Sequence, residues 1–330
     1  MNEQVSQRIH KYDNLKGFAI ILIVLGHMLF LLQFPAEKFI RYFISIFHLP
    51  IFFFVAGYFS KIGPGEPIKS FKRLIIPYML FCTLYTIFQL LIGSKIHPLF
   101  IYPTMALWFL IALFGMKLFL PFVDKLRFPV LTAFVIALLV GFLQIDPNFL
   151  GITRFFAFYP VFLIGFYYKD YKASIKSRYS SLDDLFENRF FVIIFGVIVF
   201  LICAFAAKYF PAKIIVLAEA YSKPTELVKR LIVLVLGILA TLVLHKLASN
   251  KDYFLTKIGR NSMAVYLLHP YFATSLQKLL SPILKQNETL YFAFAIISTA
   301  IIVFILSRDI VTTLLNRIID FVSDLFFRKA

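Results

Sequence analysis

The chain has 330 residues, of which 61% are hydrophobic and only 15% charged, with a mean hydropathy of +0.85. No soluble globular domain tolerates that balance, so the chain reads as a polytopic membrane protein. A net charge of +17 would suggest a nucleic-acid partner in a soluble protein, but here Lys and Arg fall between apolar segments, where they set orientation and touch the headgroups of membrane lipid.

The first fourteen residues are polar and include Arg8, His10, Lys11 and Asp13. The apolar stretch 15–34 that follows is too long for a signal-peptide core and lacks a small-residue cleavage site, so it is expected to remain as a signal anchor. Asp13 is placed either to cap this helix or to act directly, and Lys16 lies on the next turn. His27 follows Lys16 by eleven residues, near the middle of the stretch. At about 100° per residue eleven steps return nearly to the starting azimuth, so the two groups share a face, about 16 Å apart along the axis. Standing alone, a Lys this near a helix end snorkels to the headgroups. Aligned with His27 it makes a polar track inside a span, where ionisable groups are costly and face a cavity or a partner.

The second span, 39–60, holds His48 and then Pro50, which removes a backbone donor and predicts a kink beside the histidine. His27 and His48 each lie about twelve residues from the inner end of their helix, roughly 18 Å deep. The short connection 35–38 makes the two helices antiparallel neighbours and predicts contact between the imidazoles. Apolar runs at 74–92, 105–121, 129–145, 155–168, 191–209, 228–247, 260–280 and 290–312 bring the expected number of spans to about ten. The fourth contains Lys117, and the sixth begins near Arg154.

With the amino terminus inside, the inner loops carry Lys61, Lys69, Lys72 and Arg73, then Lys125 and Arg127, then Lys169, Lys172, Lys176, Arg178 and Arg189, then Lys251 and Lys257. The outer loops carry fewer cations: Lys38, Lys95, Arg154, Lys213, Lys223 and Lys285. This asymmetry places both termini in the cytoplasm. Cys82 and Cys203 fall within apolar runs and read as small buried hydrophobes, not as a disulfide or a nucleophile. No linker or repeat divides the chain, so 1–330 is expected to be one all-α transmembrane helix bundle, with 313–330 an amphipathic tail on the inner membrane surface.

A third intramembrane histidine, His269, is again followed by a proline and again lies about halfway across. Three such histidines could in principle bind a metal, but carboxylate or thiolate co-ligands are missing at that depth and the spacing matches no zinc signature, so no metal is expected. His10, His97 and His245 read as interfacial or loop residues. A buried, largely neutral histidine suits general acid/base work. With no carboxylate at its depth, a protein hydroxyl, a second histidine or backbone has to hold its tautomer, and a serine-protease-like triad is not indicated.

The block from Tyr12 to His27, the block from Phe47 to Tyr58, Lys72-Arg73-Leu74-Ile75-Ile76-Pro77-Tyr78, Leu107-Trp108-Phe109-Leu110 and the block from Gly259 to His269 occur in the order and spacing of acyltransferase family 3. The whole chain resembles that family of integral-membrane acyltransferases, most closely its branch similar to fucose 4-O-acetylase. In many relatives a basic residue, usually Arg, stands eleven positions before the essential histidine; Lys16 takes that place here, as in the fucose-acetylase-like branch. Lysine keeps the charge and loses the bidentate fork.

The resemblance implies a multi-pass protein of a bacterial plasma membrane. It implies transfer of an acyl group, usually acetyl, from cytoplasmic acyl-CoA (acetyl-CoA) to a sugar hydroxyl of a surface glycan or its lipid-linked precursor. On that reading Lys16, Lys69, Lys72 and Arg73 hold the phosphates of the donor, and His27 acts as general base or forms an acyl-histidine. Lys16 and His48 are counted with His27 as catalytic residues, His48 also helping to shape the pocket with Asp13, Trp108, Tyr266 and His269, and Arg154 contacts the glycan or marks the headgroup level. Lys72 and Arg73 serve equally as topology determinants, and Trp108 as an interfacial anchor. Two other classes compete: a transporter or flippase whose histidines line a path, and a sensory protein that binds the donor without turnover.

Overall fold

The structure, a computed structural model, describes residues 9–29, 34–93, 100–103, 106–178, 180–284 and 286–327. Arg8, Lys95, His97, Lys285 and residues 328–330 of the expected tail lie outside the described residues. The regular secondary structure of the described residues is all helical, with no strand among them.

Helix α1 spans His10–Met28, α2 Pro35–Ser45 and α3 His48–Tyr58. The expected kink is a full break: α2 stops at Ser45, Ile46 and Phe47 turn, and α3 restarts at His48 with Pro50 in its first turn. There Pro50 has no N–H to give to Ile46, so the break strands no donor. Helix α4 (Glu66–Ser70) runs through a π turn at Phe71–Ile75 into α5 (Ile76–Leu91). Pro77 cannot donate to the Arg73 carbonyl, and the ladder shifts register there, with the Ile76 N–H reaching Phe71 O. The third span therefore starts at Glu66, well before the expected residue 74.

Next come α6 (Trp108–Val123), α7 (Pro129–Leu139), α8 (Ile152–Phe166), the polar pair α9 (Tyr168–Arg178) and α10 (Ser180–Glu187), then α11 (Arg189–Tyr209), the short α12 (Ala212–Ile215) and α13 (Glu226–Leu247). The chain ends with α14 (Phe254–Arg260), α15 (Ser262–Leu284), α16 (Glu288–Leu306) and α17 (Asp309–Phe326).

Five helical segments are long and apolar enough to cross a bilayer: Pro35–Tyr58, Glu66–Leu91, Arg189–Tyr209, Glu226–Leu247 and Glu288–Leu306. Trp108–Val123, Pro129–Phe142 and Ile152–Phe166 are shorter apolar helices. With their exposed Leu, Ile and Phe side chains, these segments make a multi-pass membrane protein. Helices α1 and α15 fall outside both sets because they carry the polar groups. Lys11, Asp13 and Lys16 lie in the first turns of α1, and His269, Gln277 and Lys278 lie along α15.

Two helix pairs meet backbone to backbone. A Cβ on Gly17 of α1 would overlap the Leu255 carbonyl of α14, and one on Gly259 of α14 would overlap the Asp13 carbonyl. In the same way Gly57 of α3 abuts the Phe162 carbonyl and Gly165 of α8 the Phe54 carbonyl. Without a hydrophobic force between helices in lipid, such close approaches maximise packing. Asn14 locks the first pair. Its amide donates to the Ser249 and Lys251 carbonyls at 2.9 and 3.0 Å, and its Oδ1 accepts from Thr256 Oγ1 at 2.6 Å.

Asn261 separates α14 from α15, a break the apolar run at 260–280 does not predict. Its amide donates to Ser307 O and Asp309 Oδ1, both at 2.8 Å, tying the break to the start of α17. Those bonds and the Lys257 ammonium hold the Asp309 carboxyl below its ordinary value. The amphipathic tail thus begins at Asp309. Leu315, Ile319 and Ser323 face the protein, while Ile310, Leu314, Ile318, Phe321 and Leu325 are exposed, as suits a helix lying in an interface.

Candidate active site

His27 comes from the last turn of α1 and His269 from the second turn of α15, and the two rings meet with centroids 4.8 Å apart. His269 Nδ1 lies 2.9 Å from the Val265 carbonyl, and its Nε2 lies 3.0 Å from His27 Nδ1. These partners fix the tautomers of the neutral pair. A carbonyl only accepts, so His269 Nδ1 carries hydrogen and its Nε2 is left with a lone pair. His27 Nδ1 therefore donates, and His27 Nε2 keeps its own lone pair. The bond to His269 is the one side-chain hydrogen bond of His27 among the described residues. The arrangement leaves one basic nitrogen on a half-buried ring, while His269 behind it is fully buried.

The partner of His27 is thus His269, and not the expected His48. The turn at Ile46–Phe47 swings the His48 ring back onto its own chain, where Nδ1 donates to the Ile44 carbonyl at 2.6 Å. His48 and Arg41 remain within Coulombic range of His27.

Behind the pair, Gln277 donates to the His27 and Met28 carbonyls at 2.6 and 3.1 Å. The Tyr291 hydroxyl lies 2.8 Å from Met28 O and 2.9 Å from Glu37 Oε1, and Glu37 is fully buried. The carboxylate absent from the expected site is therefore present just past the end of α1. It holds the helix terminus in place and does not touch the imidazole. Glu37, Arg41, Gln277 and Tyr291 are not singled out by the sequence.

A cavity of about 330 Å³ opens among α1, α3, α6 and α15. Lys16, Arg73 and Lys117 stand on its lining, and Ile23, Leu49 and Tyr266 lie deeper along it. Ile23 is one helical turn before His27 on the same face of α1, so the cavity points along the polar track and ends one turn short of the imidazole. Tyr266 donates its hydroxyl to the Ala106 carbonyl in a short hydrogen bond, and its ring lies 6.5 Å from that of His269.

Lys16 pairs with the buried Asp13 at 2.9 Å, so Asp13 orients the lysine. Of the expected cation cluster, only Arg73 joins Lys16 on this lining. Lys69 pairs with Glu66 at 3.2 Å, and Lys72 lies over the Phe327 ring 4.8 Å from its centroid, against the end of α17. Lys117, which the sequence offers only as a flaw in an apolar run, supplies the third charge. Trp108 is buried beside Phe53 and Phe158. Arg154 lies over its indole at 4.8 Å and donates to the Pro147 carbonyl at 3.2 Å. These two residues are not on the cavity lining. Of the histidines expected at an interface, His10 opens α1, whereas His245 is buried and paired with Tyr12 at 3.2 Å.

The family model described as an acyltransferase domain, that of acyltransferase family 3, matches residues 9–308. The chain belongs to this family. Comparison with curated proteins and with solved structures gives no match. The matched region of this membrane acyltransferase runs from the start of α1 to the residue before α17, so it includes both histidines, the cavity and both glycine contacts.

Proposed function

We propose that the acyltransferase moves an acetyl group from cytoplasmic acetyl-CoA to a sugar hydroxyl of a cell-surface polysaccharide or its lipid-linked precursor, with His27 as general base. The observation that carries the proposal is the His27–His269 pair, which leaves a lone pair on His27 Nε2 one helical turn beyond a cavity whose lining bears three cations. On this reading the site belongs to a bacterial plasma-membrane protein of about ten crossings with both termini cytoplasmic, an orientation supported by the excess of Lys and Arg in the inner loops. That places Lys16, Arg73 and Lys117 toward the acyl-CoA phosphates, while the thin pantetheine arm runs inward past Ile23 and Tyr266.

His27 Nε2 takes the proton of the acceptor hydroxyl as its oxygen attacks the thioester carbonyl carbon. The C–S bond then breaks, and the departing sulfur receives that proton back from Nε2. The products are an O-acetyl ester and CoA thiol. His269 holds the tautomer throughout and stabilises the imidazolium that forms.

The test is turnover by purified protein in lipid nanodiscs with labelled acetyl-CoA and glycan acceptors, read as label in the glycan by mass spectrometry and as thiol release. Acetylated sugar is the expected product. Solute uptake without CoA dependence, or CoA binding without product, defeats the reading. Arg73→Gln and Lys117→Gln are each expected to raise KM for acetyl-CoA about tenfold with kcat nearly kept, since each removes a charge-assisted contact of about 1.5 kcal/mol or more from the part of the donor that does not react. Free CoA competing equally well against wild type and both variants would remove these residues from the donor site.

A further inference from the structure

A second basic cavity lies apart from the first, on the other side of the first turns of α1. Its volume is about 530 Å³, and Lys11, Lys169, Lys172, Lys176 and Lys246 stand around it with one carboxylate, Glu187. Glu187 is shared between Lys246 at 2.7 Å and Lys172 at 3.0 Å, and those ammoniums push its carboxyl down to about 2. Five ammoniums against one carboxylate leave the lining strongly positive, and like charges gathered this way are costly unless an anion joins them. Tyr12, Tyr58 and Tyr168 form an aromatic wall around the buried His245, whose Nδ1 has no hydrogen-bond partner among the described residues.

Beside it runs an apolar cavity of about 440 Å³ between α9 and the helices α8, α11 and α13, lined by Ile164, Ile175, Phe186, Phe195 and Leu239. Tyr168, Lys172 and Lys246 line both spaces. A ligand that fills the pair must carry negative charge at one end and hydrocarbon at the other. An anionic nucleotide satisfies only the first cavity, and a neutral lipid only the second.

We infer that the joined cavities bind one anionic membrane phospholipid, its phosphate among Lys169, Lys172, Lys176 and Lys246 and one acyl chain in the groove under α9. Charge complementarity selects the head, and the shared rim at Lys172 sets the distance from head to chain. The lipid adds to what holds the polar pair α9 and α10 to the bundle, namely the ring contacts of Tyr168 and Phe186 and the exposed Glu187 ion pairs, which are weak on their own.

Native mass spectrometry of the full chain, titrated with phosphatidylglycerol, cardiolipin or phosphatidylcholine, tests this. The readout is lipid retention, so it stands or falls separately from acyl transfer. Wild type is expected to retain phosphatidylglycerol and cardiolipin at least fivefold more tightly than phosphatidylcholine. The triple variant Lys169→Gln, Lys172→Gln, Lys176→Gln, all at exposed positions, is expected to bring that preference within twofold. Filling the groove with Ile175→Trp and Leu239→Trp is expected to weaken retention about fivefold while the lysines are untouched. Equal retention of the three lipids by wild type, or an unchanged preference in the triple variant, overturns the inference. So does displacement of lipid by inorganic pyrophosphate with no effect of the groove substitutions, which would mark a site for soluble anions.

Discussion

His27→Ala is expected to lower acetyl transfer about 10²–10⁴-fold, the usual worth of a positioned general base, while leaving thermal unfolding and donor affinity near wild type. The substitution removes the open lone pair that the His27–His269 pair presents and leaves Lys16, Arg73 and Lys117 in place. The sharper version concerns His269, which acts through His27. In His269→Ala the His27 Nδ1 loses its acceptor, so both tautomers are populated and part of the enzyme carries hydrogen on Nε2. His269→Gln offers a side-chain oxygen to the same N–H. Activity is therefore expected to fall at least about tenfold in the alanine variant and to recover in part in the glutamine variant, with KM for acetyl-CoA unchanged in both. A His27→Ala enzyme that keeps more than a tenth of wild-type turnover removes the base from the mechanism. A His269→Gln enzyme no better than His269→Ala removes the tautomer argument and leaves only packing.

What could be read from the sequence follows how local the determining interactions are. The polar face shared by Lys16 and His27 depends only on helix periodicity, and Ile23 on the same face does line the cavity that Lys16 enters. The break beside His48 depends on one proline, and it is there. The partner of His27 depends on which distant helix lies against α1. His269 is 242 residues away, and periodicity carries no information about that choice. The same holds for Lys117. Its charge in an apolar run is visible, but its delivery to the side of Lys16 needs the packing of α6 against the bundle. The phosphate-holding set implied by the resemblance includes Lys69 and Lys72, neighbours of Arg73 along the chain. The π turn at Phe71–Ile75 and the end of α17 give those neighbours other partners. Helix count suffers from a related effect. Helices α1 and α15, which carry the histidine pair, fall short of the apolar spans, because a polar track inside a membrane protein is paid for in hydropathy.

The glycine contacts carry the second large effect. In Gly259→Ala the new Cβ would occupy the position of the Asp13 carbonyl oxygen, a backbone atom that cannot rotate aside. To accept it, α1 must lift from α14, and that motion pulls Asn14 from its three bonds to Ser249, Lys251 and Thr256. Overpacking against a fixed backbone costs about 3 kcal/mol, and leaving a buried amide unpaired costs about 1–3 kcal/mol more, together comparable with much of a protein's net stability. Gly17→Ala meets the same obstacle from the other helix, so the two substitutions are expected to be similar in size and far from additive. Gly63→Ala is the control, because nothing lies within 4 Å of a Cβ at that position. Thermal unfolding in detergent should show Gly259→Ala and Gly17→Ala either far below wild type or without a cooperative transition, and Gly63→Ala unchanged. Asp13 and Lys16 sit on the turn that has to move, so any folded fraction of the Gly259 variant should also bind acetyl-CoA more weakly than wild type. A Gly259→Ala protein that melts within about a degree of wild type would mean that α1 and α14 are not in backbone contact, and the placement of Lys16 on the cavity lining would lose its support.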